Sequence, residues 1–349
     1  MTLELKQNSD LPTDKVFDQA AHWIMLLPEK TTSSLWLRVP HGQTIKKFRE
    51  RLDKPRDNQV VIMDLPNKRH SRLSQACIKP DIDSFTLLGL ARKLVAAHLD
   101  FHPRILSVMV MGFDGEQTER LTEALISAVL AVSANLPRYK KEKDKLRPPQ
   151  ELHTYGCFRK DGFSRSFAMA EANALARRLS MLPPNKLRPA EYRKEVEKLA
   201  RANKWSYQFF GIKELKKKKA GAFLAVCQGS PVADAGIVKL SYRPGKGKSR
   251  KLSLVGKGIC YDTGGHSLKP PKYMFGMHED MQGSAVALGT FLALSQLKVG
   301  FAIDCWLALA MNHIGPRAYK PNDVVTACDG TSIEVVNTDA EGRMVLSDT

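Results

Sequence analysis

The sequence predicts an α/β protein with two domains, residues 1–150 and 151–349, and three observations support this prediction. Short apolar runs that suit buried strands alternate with longer segments in which apolar residues recur at helical spacing. A basic, proline-containing stretch at residues 137–150 has the composition of a linker. In the second half, glycine-rich polar motifs follow apolar runs, as expected where loops at strand ends carry a site. We therefore expect an N-terminal α/β domain and a C-terminal α/β/α domain with a mixed sheet covered by helices on both faces.

The individual elements follow from the spacing of apolar residues and from turn residues between them. In the N-terminal domain we predict strands at residues 59–65 and 105–112 and helices at residues 84–99 and 116–136. In the C-terminal domain we predict helices at residues 165–181, 189–203 and 285–297. Strands are predicted there at residues 206–211, 221–228, 237–242, 251–259 and 302–310. Residues 323–336 are predicted to form a hairpin that turns at Asp329-Gly330.

The segment Asn337-Thr338-Asp339-Ala340-Glu341-Gly342-Arg343 places two carboxylates and a guanidinium at alternate positions. On an extended backbone alternate side chains point to the same side, so Asp339, Glu341 and Arg343 are expected to share one face. Carboxylates on one face can bind a cation, and the arginine can bind an anion. Taken alone, the segment is also typical of a polar turn between a strand and a helix.

A second motif follows the strand predicted at residues 251–259. Glycines at positions 256, 258, 264 and 265 allow tight turns and close approach of the backbone, so Lys257, Asp262 and Lys269 are expected to converge. Asp280 precedes a predicted helix and is equally consistent with a helix cap and with a metal ligand. Carboxylates from three segments beside lysines and an arginine are typical of a hydrolase site with two metal ions.

Lys257 is an unusual candidate ligand. A lysine binds metal only as the neutral amine, which burial and two adjacent cations favour by lowering its pKa. Lysines of this kind more often form salt bridges or remain solvated. His266 and His278 are further candidate ligands by residue type, although positions behind the ligands or on the surface are favoured for them.

These motifs resemble the leucyl (cytosol) aminopeptidases, a family of dinuclear metal-dependent exopeptidases. The matching text is VGKGICYDTGGHSLK, EDMQGSA, KPNDVVTACDGTSIEVVNTDAEGR and, less closely, MLPPNKLRPAEY, within roughly residues 165–349. The resemblance implies release of N-terminal amino acids from peptides by attack of a metal-bridging hydroxide. It also implies that the metallopeptidase domain continues past Thr349, so the domain is expected to be truncated at its C-terminus.

The resemblance implies two divalent metal ions and their ligands in this sequence. Lys257 and Asp280 are expected to bind one ion, Asp339 the other, and Asp262 and Glu341 to bridge both. Zinc and manganese are the ions we expect. Carboxylate-rich ligands also tolerate magnesium and cobalt.

Three further residues receive roles from the resemblance. Lys269 is expected to polarise the scissile carbonyl and Arg343 to hold a bicarbonate that helps to move protons, which makes both catalytic candidates. Met277 is expected to line the substrate-binding pocket for the first side chain. Relatives form hexamers, so a homo-oligomer is expected as well.

Composition favours a cytoplasmic protein. Of the 349 residues 43% are hydrophobic and 26% charged, which is sufficient for two packed domains. The six cysteines form no C-x-x-C pair, so reduced thiols are expected, with Cys260 buried and inert. No N-terminal signal sequence is evident, and the apolar run at residues 301–311 is too short to span a bilayer.

The formal charge of +18 is concentrated in basic runs at residues 138–147, 213–219 and 243–251. Such runs can neutralise phosphates, so a basic nucleic-acid-associated protein on a peptidase scaffold is one alternative function. The runs contain no aromatic platform for bases, and solvated loops are therefore favoured over a nucleic-acid partner. An inactive remnant of a peptidase is a further alternative.

Overall fold

The computed structural model describes residues 3–52, 58–141, 147–245 and 251–349. The chain forms two compact units, Met1–Ala170 and Glu171–Thr349, and the division falls within a helix, Ser164–Ser180. The domain boundary at residue 150 stays a prediction. Within the described ranges, no helix has the length and apolarity needed to cross a bilayer.

The described part of the first unit contains a six-stranded, mainly parallel sheet. Its elements in chain order are β1 (Glu4–Asn8), α1 (Asp14–Gln19), β2 (His22–Pro28), α2 (Ser33–Arg38), α3 (Gly42–Glu50), β3 (Val61–Asp64), β4 (Arg72–Ile78), α4 (Ser84–Leu99), β5 (Ile105–Val110), α5 (Gly115–Val132) and β6 (Glu151–Tyr155). The strand order is β1-β6-β5-β2-β4-β3. The pair β3–β4 is antiparallel, and the other described pairs of this sheet are parallel.

Period-two alternation along β2 explains how helices cover both faces of this sheet. Ile24 and Leu26 pack in one buried cluster with residues of α4 and α5. Trp23 and Met25 belong to a second cluster with residues of α1, α2 and α3. Caps define where the long helices begin: the Asp83 side chain accepts the Thr86 N–H at 3.0 Å at the start of α4. The predicted N-terminal α/β pattern is confirmed.

The second unit is built on a four-stranded mixed sheet in the order β7-β8-β10-β9. In chain order the elements from the division onward are α6 (Ser164–Ser180), α7 (Pro189–Asn203), β7 (Ser206–Gly211), α8 (Ile212–Lys217), α9 (Gly221–Cys227), β8 (Gly236–Tyr242), β9 (Lys251–Asp262), α10 (Pro271–Met274), α11 (Gln282–Gln296), β10 (Ala302–Asn312), β11 (Val324–Thr326), β12 (Ser332–Glu334) and α12 (Glu341–Asp348). β9 and β10 are parallel, whereas the other pairs of this sheet are antiparallel.

Alternating residues of β10 again place helices on both faces. Cys305 and Leu307 pack with residues of α7 and α11. Ala308 and Ala310 pack on the other face with residues of α9 and α12. The predicted mixed sheet with helices on both faces is confirmed, and so is the hairpin, which β11 and β12 form.

The strand predicted at residues 221–228 is wrong, because this segment forms the helix α9. Its run of apolar residues lacks polar alternation and suits either a buried strand or a buried helix. The side chains of Ala222, Phe223 and Val226 are all buried, and alanine favours the helix. The error therefore reflects an ambiguity that composition alone does not resolve.

The cysteines all lie in the described ranges and are free, as their spacing predicted. Of the three basic runs, residues 213–219 lie on α8 and the turn after it, with their lysine side chains exposed. The other two runs include residues 142–146 and 246–250, which lie outside the described residues.

Candidate metal centre

Lys257 lies within β9, and the preceding glycine allows the start of α11 to pack directly on this strand. A Cβ atom at Gly256 would lie 2.4 Å from the Cα atom of Ser284, so a larger residue does not fit. This close approach brings Asp280, in the turn before α11, to Lys257. The Lys257 ammonium donates a hydrogen bond of 2.7 Å to Oδ1 of Asp280.

Asp262 is the last residue of β9, and a glycine turn follows it. Gly264 and Gly265 have φ angles of +84° and +64°, which favour glycine and reverse the chain. The Gly264 N–H donates to Oδ1 of Asp262 at 2.9 Å. The reversal returns Lys269 to the strand end, where its Nζ lies 3.0 Å from Asp262 Oδ2 and 2.5 Å from Asp339 Oδ1. Lys269 thus links two carboxylates that come from different motifs.

The extended conformation predicted for the motif that ends at Arg343 is wrong. Thr338–Ala340 form a 3-10 helix and α12 begins at Glu341. Asn337 stabilises this turn because its side-chain oxygen accepts the Asp339 N–H at 2.8 Å. On a helical backbone residues two apart point in different directions, so Glu341 is buried whereas Arg343 is exposed.

Three carboxylates nevertheless converge. Asp262, Asp280 and Glu341 each contribute an oxygen to a group whose oxygens lie within 4.8 Å of one another. Burial, together with the charge of Asp262, raises the pKa of Glu341 to about 7. Burial also raises the pKa of Asp280. Crowded, partly buried carboxylates repel one another, and cations relieve that repulsion.

The donor set fits divalent metal ions. Carboxylate oxygens are ligands for hard and borderline ions, and three separate segments supply them. Oδ2 of Asp280 is buried and accepts no hydrogen bond from any described residue. A buried oxygen without a donor is costly unless a cation or a water satisfies it. Asp339 lies outside the group of three and joins it through Lys269.

The two lysines supply the positive charge beside these carboxylates. Nζ of Lys257 lies 2.6 Å from Oε1 of Glu341 as well as contacting Asp280. Burial disfavours the charged form of Lys257, but the hydrogen bonds to Asp280 and Glu341 outweigh burial and raise its pKa. The pKa of Lys269 is raised for the same reason, by Asp339 and Asp262. The lowered pKa that we expected for Lys257 is therefore opposed by its own partners, and an amine ligand here would need metal ions to outweigh them.

Asn312, which the sequence analysis did not single out, lies beside the carboxylates. It ends β10 and is 1% exposed. Its Nδ2 donates to Oδ1 of Asp262 at 2.8 Å and to the Thr338 carbonyl at 3.0 Å, and Oε2 of Glu341 lies 3.4 Å away. The Tyr319 hydroxyl donates to the same Thr338 carbonyl at 2.8 Å. A polar residue near the carboxyl end of a strand was the signal that could have identified Asn312.

The other candidate residues are arranged differently. The Arg343 side chain is exposed and forms no hydrogen bond or ion pair with any described residue. Met277 begins a 3-10 helix, Met277–Glu279, and is half-buried, so its substrate-binding role stays a prediction. His266 is exposed, and its Nδ1 lies 2.9 Å from the Tyr319 carbonyl oxygen. Asp280 is not the N-cap of α11, because the following residue occupies that position.

Residues 174–349 match the catalytic-domain model of the cytosol aminopeptidase family. The chain is 35% identical over 254 residues to a probable cytosol aminopeptidase of Campylobacter jejuni, an alignment that covers 70% of this chain and 52% of the relative. It is 32% identical over 330 residues to a probable cytosol aminopeptidase of Parasynechococcus marenigrum, covering 93% of this chain and 67% of the relative. The similarity thus extends into the first unit, where the motifs gave little indication of it.

A solved structure described as the bottromycin maturation enzyme BotP in complex with Mn superposes with a TM-score of 0.75 at 26% identity. The alignment covers 94% of this chain and 68% of that chain. This chain spans about half the length of several curated relatives that it matches. The family model, which matches half of the chain, and the alignment over two thirds of the Parasynechococcus protein agree. The chain therefore belongs to the cytosol aminopeptidase family.

Proposed function

We propose that this protein is a metal-dependent aminopeptidase that releases N-terminal amino acids from peptides. The observation that carries the proposal is the convergence of Asp262, Asp280 and Glu341, whose oxygens lie within 4.8 Å of one another. These residues come from a strand end, a turn and a helix start in a chain of the cytosol aminopeptidase family. Membership of that family supports peptide hydrolysis over the nucleic-acid alternative.

We assign two divalent ions to this site. Lys257 and Asp280 would bind one ion, Asp339 the other, and Asp262 and Glu341 would bridge them. Divalent ions bound to such ligands polarise a carbonyl group and lower the pKa of bound water. The relative in complex with Mn supports manganese, and carboxylate ligands are equally suited to zinc.

Lys269, Arg343 and Met277 would act on the substrate. The Lys269 side chain is 15% exposed and keeps its ammonium charged through Asp262 and Asp339, so it is suited to donate a hydrogen bond to the scissile carbonyl oxygen. The exposed Arg343 guanidinium is available to hold a small anion, for which we propose bicarbonate. Met277 would contact the first side chain of the peptide.

We propose that the substrate is a peptide with a free N-terminus and that the protein acts in the cytoplasm as a homo-oligomer. The names of the relatives, cytosol aminopeptidases, support the cytoplasm. A hexamer is the assembly implied by the resemblance of the motifs. Sedimentation of the purified chain would test the hexamer.

Glu341→Gln tests the assignment with an isosteric change. We expect release of leucine from leucine amide in the presence of manganese or zinc to fall at least about 100-fold, because an essential bridging charge is lost. Metal content, measured by elemental analysis, should fall in parallel. Glu279→Gln is the matched control, because Glu279 is exposed in the same region and lies outside the carboxylate group. Equal activity in the parent and the Glu341→Gln variant would contradict the proposal.

A further inference from the structure

The first unit contains a cavity that no part of the proposed function uses. Its volume is about 540 Å³, and it lies near the N-terminal ends of β2 and β5. This is the range of volumes found for sites that bind small molecules. Its walls include His22, Arg69, Phe101, Arg104, Ser107 and Tyr155.

The lining of the cavity is basic. Arg69 and Arg104 contribute two guanidinium groups, and no carboxylate lines the cavity within the described ranges. Glu151, an acid that pairs with Arg104, is engaged by Nζ of Lys6 at 2.6 Å, which lowers the pKa of Glu151 to about 2. Arg104 lies farther from Glu151, at 3.4 Å, and its side chain is 74% exposed. The guanidinium of Arg104 therefore has donors left for a ligand.

Ser107 is a second and independent sign of a ligand. It lines the cavity, is 1% exposed, and its hydroxyl has no hydrogen-bond partner among the described residues. A buried hydroxyl without a partner costs free energy, and few are left so in folded proteins. An oxygen of a bound molecule would satisfy it.

Aromatic groups form another part of the wall. Phe101 is 56% exposed, and the Arg72 guanidinium lies over its ring at 4.4 Å from the centroid. The His22 ring lies 6.1 Å from the Phe101 ring, and Tyr155 contributes a further ring to the lining. An exposed phenylalanine ring beside guanidinium groups suits a ligand with both a flat ring and negative charge.

We propose that this cavity binds a small organic anion in which a phosphate or carboxylate is attached to a flat ring. Arg69 and Arg104 pair with the anionic group, and the hydroxyl of Ser107 donates a hydrogen bond to one of its oxygens. Phe101 and Tyr155 contact the ring. Bidentate guanidinium contacts are the usual means by which proteins recognise both phosphate and carboxylate.

Calorimetric titration of the full chain with defined compounds tests this site. Phenyl phosphate is the aromatic phosphate, phthalate the aromatic carboxylate, and inorganic phosphate and phenol carry the charge and the ring alone. We expect phenyl phosphate or phthalate to bind at least about tenfold more tightly than inorganic phosphate and phenol, because both halves contribute. If only phenyl phosphate or only phthalate binds, the result identifies the acid group of the ligand as a phosphate or a carboxylate. The absence of binding by both at millimolar concentration would overturn the proposal.

Variants locate the binding. The double variant Arg69→Gln with Arg104→Gln should lower the affinity for the more tightly bound aromatic anion at least about tenfold. Ser107→Ala should lower the same affinity severalfold. Arg92→Gln is the matched control, because Arg92 is an exposed arginine on α4 that does not line the cavity. Circular dichroism confirms that each variant is folded. Unchanged affinity in the folded double variant, or equal loss in Arg92→Gln, would also overturn the proposal.

Discussion

The Asn312 amide joins the Asp262 carboxylate to the backbone of the turn before Glu341. A side-chain amide nitrogen has two protons, and here they are directed at Asp262 and at the carbonyl of Thr338, with Glu341 slightly farther away. Because Asn312 is buried at the end of β10, its own orientation is fixed by the strand. A neutral donor of this kind orients the carboxylates and does not compete with them for a cation.

Asn312→Ala should weaken metal binding without removing a ligand. We expect the affinity for manganese to fall by about 10-fold to 100-fold, the range typical when a hydrogen bond to a metal ligand is lost. Competition with a fluorescent chelator measures this affinity. Asn203→Ala provides a control, because the Asn203 amide donates to the Leu199 carbonyl of its own helix and to no metal-site residue among those that the structure describes. Unchanged affinity in Asn312→Ala would mean that the carboxylates are held in place without it.

At the residue scale, the sequence predicted which residues form the metal site better than it predicted the backbone conformation that presents them. The resemblance pointed to Asp262, Asp280 and Glu341, and these residues do lie together. The backbone that presents them was predicted wrongly, because alternate spacing suits a strand only when no cap competes, and Asn337 supplies a cap. Asn312 belongs to no motif, and its role depends on a strand pairing that local spacing does not reveal.

At the scale of elements, the contact of α11 with β9 forms the floor of the site. The start of α11 lies against β9 so closely that the backbone of Ser284 occupies the space of a side chain at Gly256. Gly283 in α11 is also close to the strand: a Cβ atom there would lie 3.2 Å from the backbone nitrogen of Lys257. This packing keeps the turn that bears Asp280 beside Lys257.

Gly256→Ala should therefore destabilise the second unit. The added methyl group would lie 2.4 Å from a backbone atom that cannot move alone, so we expect a loss of about 3 kcal/mol in the free energy of unfolding. Urea unfolding measures the change. Gly300→Ala is the control, because a Cβ there meets no atom within 4 Å, and we expect its effect to stay within about 0.5 kcal/mol. Equal stability of the two variants would show that α11 can shift away from β9.

How well the elements were predicted depended on local signals. The helix predicted at residues 84–99 coincides with α4, which has an aspartate cap and sixteen residues of apolar spacing. The predicted strand at residues 221–228 failed because α9 is apolar on all sides and too short to show a period. The pairing of β9 with β10 brings together residues far apart in the chain, and this information is not contained in either segment.

At the scale of the whole molecule, some of the positive charge serves the fold. Asp304 is buried, and its carboxylate lies 2.6 Å from both Lys251 and Arg243, which border the third basic run. Burial alone would raise the pKa of Asp304, but hydrogen bonds from Lys251 and Arg243 outweigh it and lower that pKa. At least these two cations of the run are thus occupied within the protein, which reduces the charge available to a nucleic acid.

Acid stability should depend on His98 in the first unit. Burial, with a smaller effect of His22, lowers the pKa of His98 to about 3, whereas an unfolded histidine has a pKa of about 6.5. Between these values the unfolded chain binds a proton that the folded chain does not. The contribution of His98 to the free energy of unfolding is therefore fully present above pH 6.5. The free energy of unfolding falls by up to about 1.4 kcal/mol per pH unit as the pH decreases toward 3.

Replacement of His98 by glutamine should reduce this slope by about one proton between pH 6 and pH 4. Urea unfolding followed by hydrogen-exchange mass spectrometry measures it for peptides of the first unit. His70→Gln is the comparison, because His70 is exposed. An identical slope in the parent and the His98→Gln variant would show that His98 becomes charged in the folded protein.

Metal binding should stabilise the second unit selectively, because Asp262, Asp280 and Glu341 all lie in Glu171–Thr349. An ion that binds the folded but not the unfolded state stabilises by about 2.7 kcal/mol at 100 times its dissociation constant. Manganese should therefore slow hydrogen exchange in peptides from residues 171–349, and a chelator should reverse the change. Peptides of the first unit provide the internal control, since no carboxylate of the group belongs to them. Asp262→Asn should abolish the response, because the variant loses a charge that the other two carboxylates cannot replace. A manganese response that persists in Asp262→Asn, or that appears equally in both units, would place the ion at other residues.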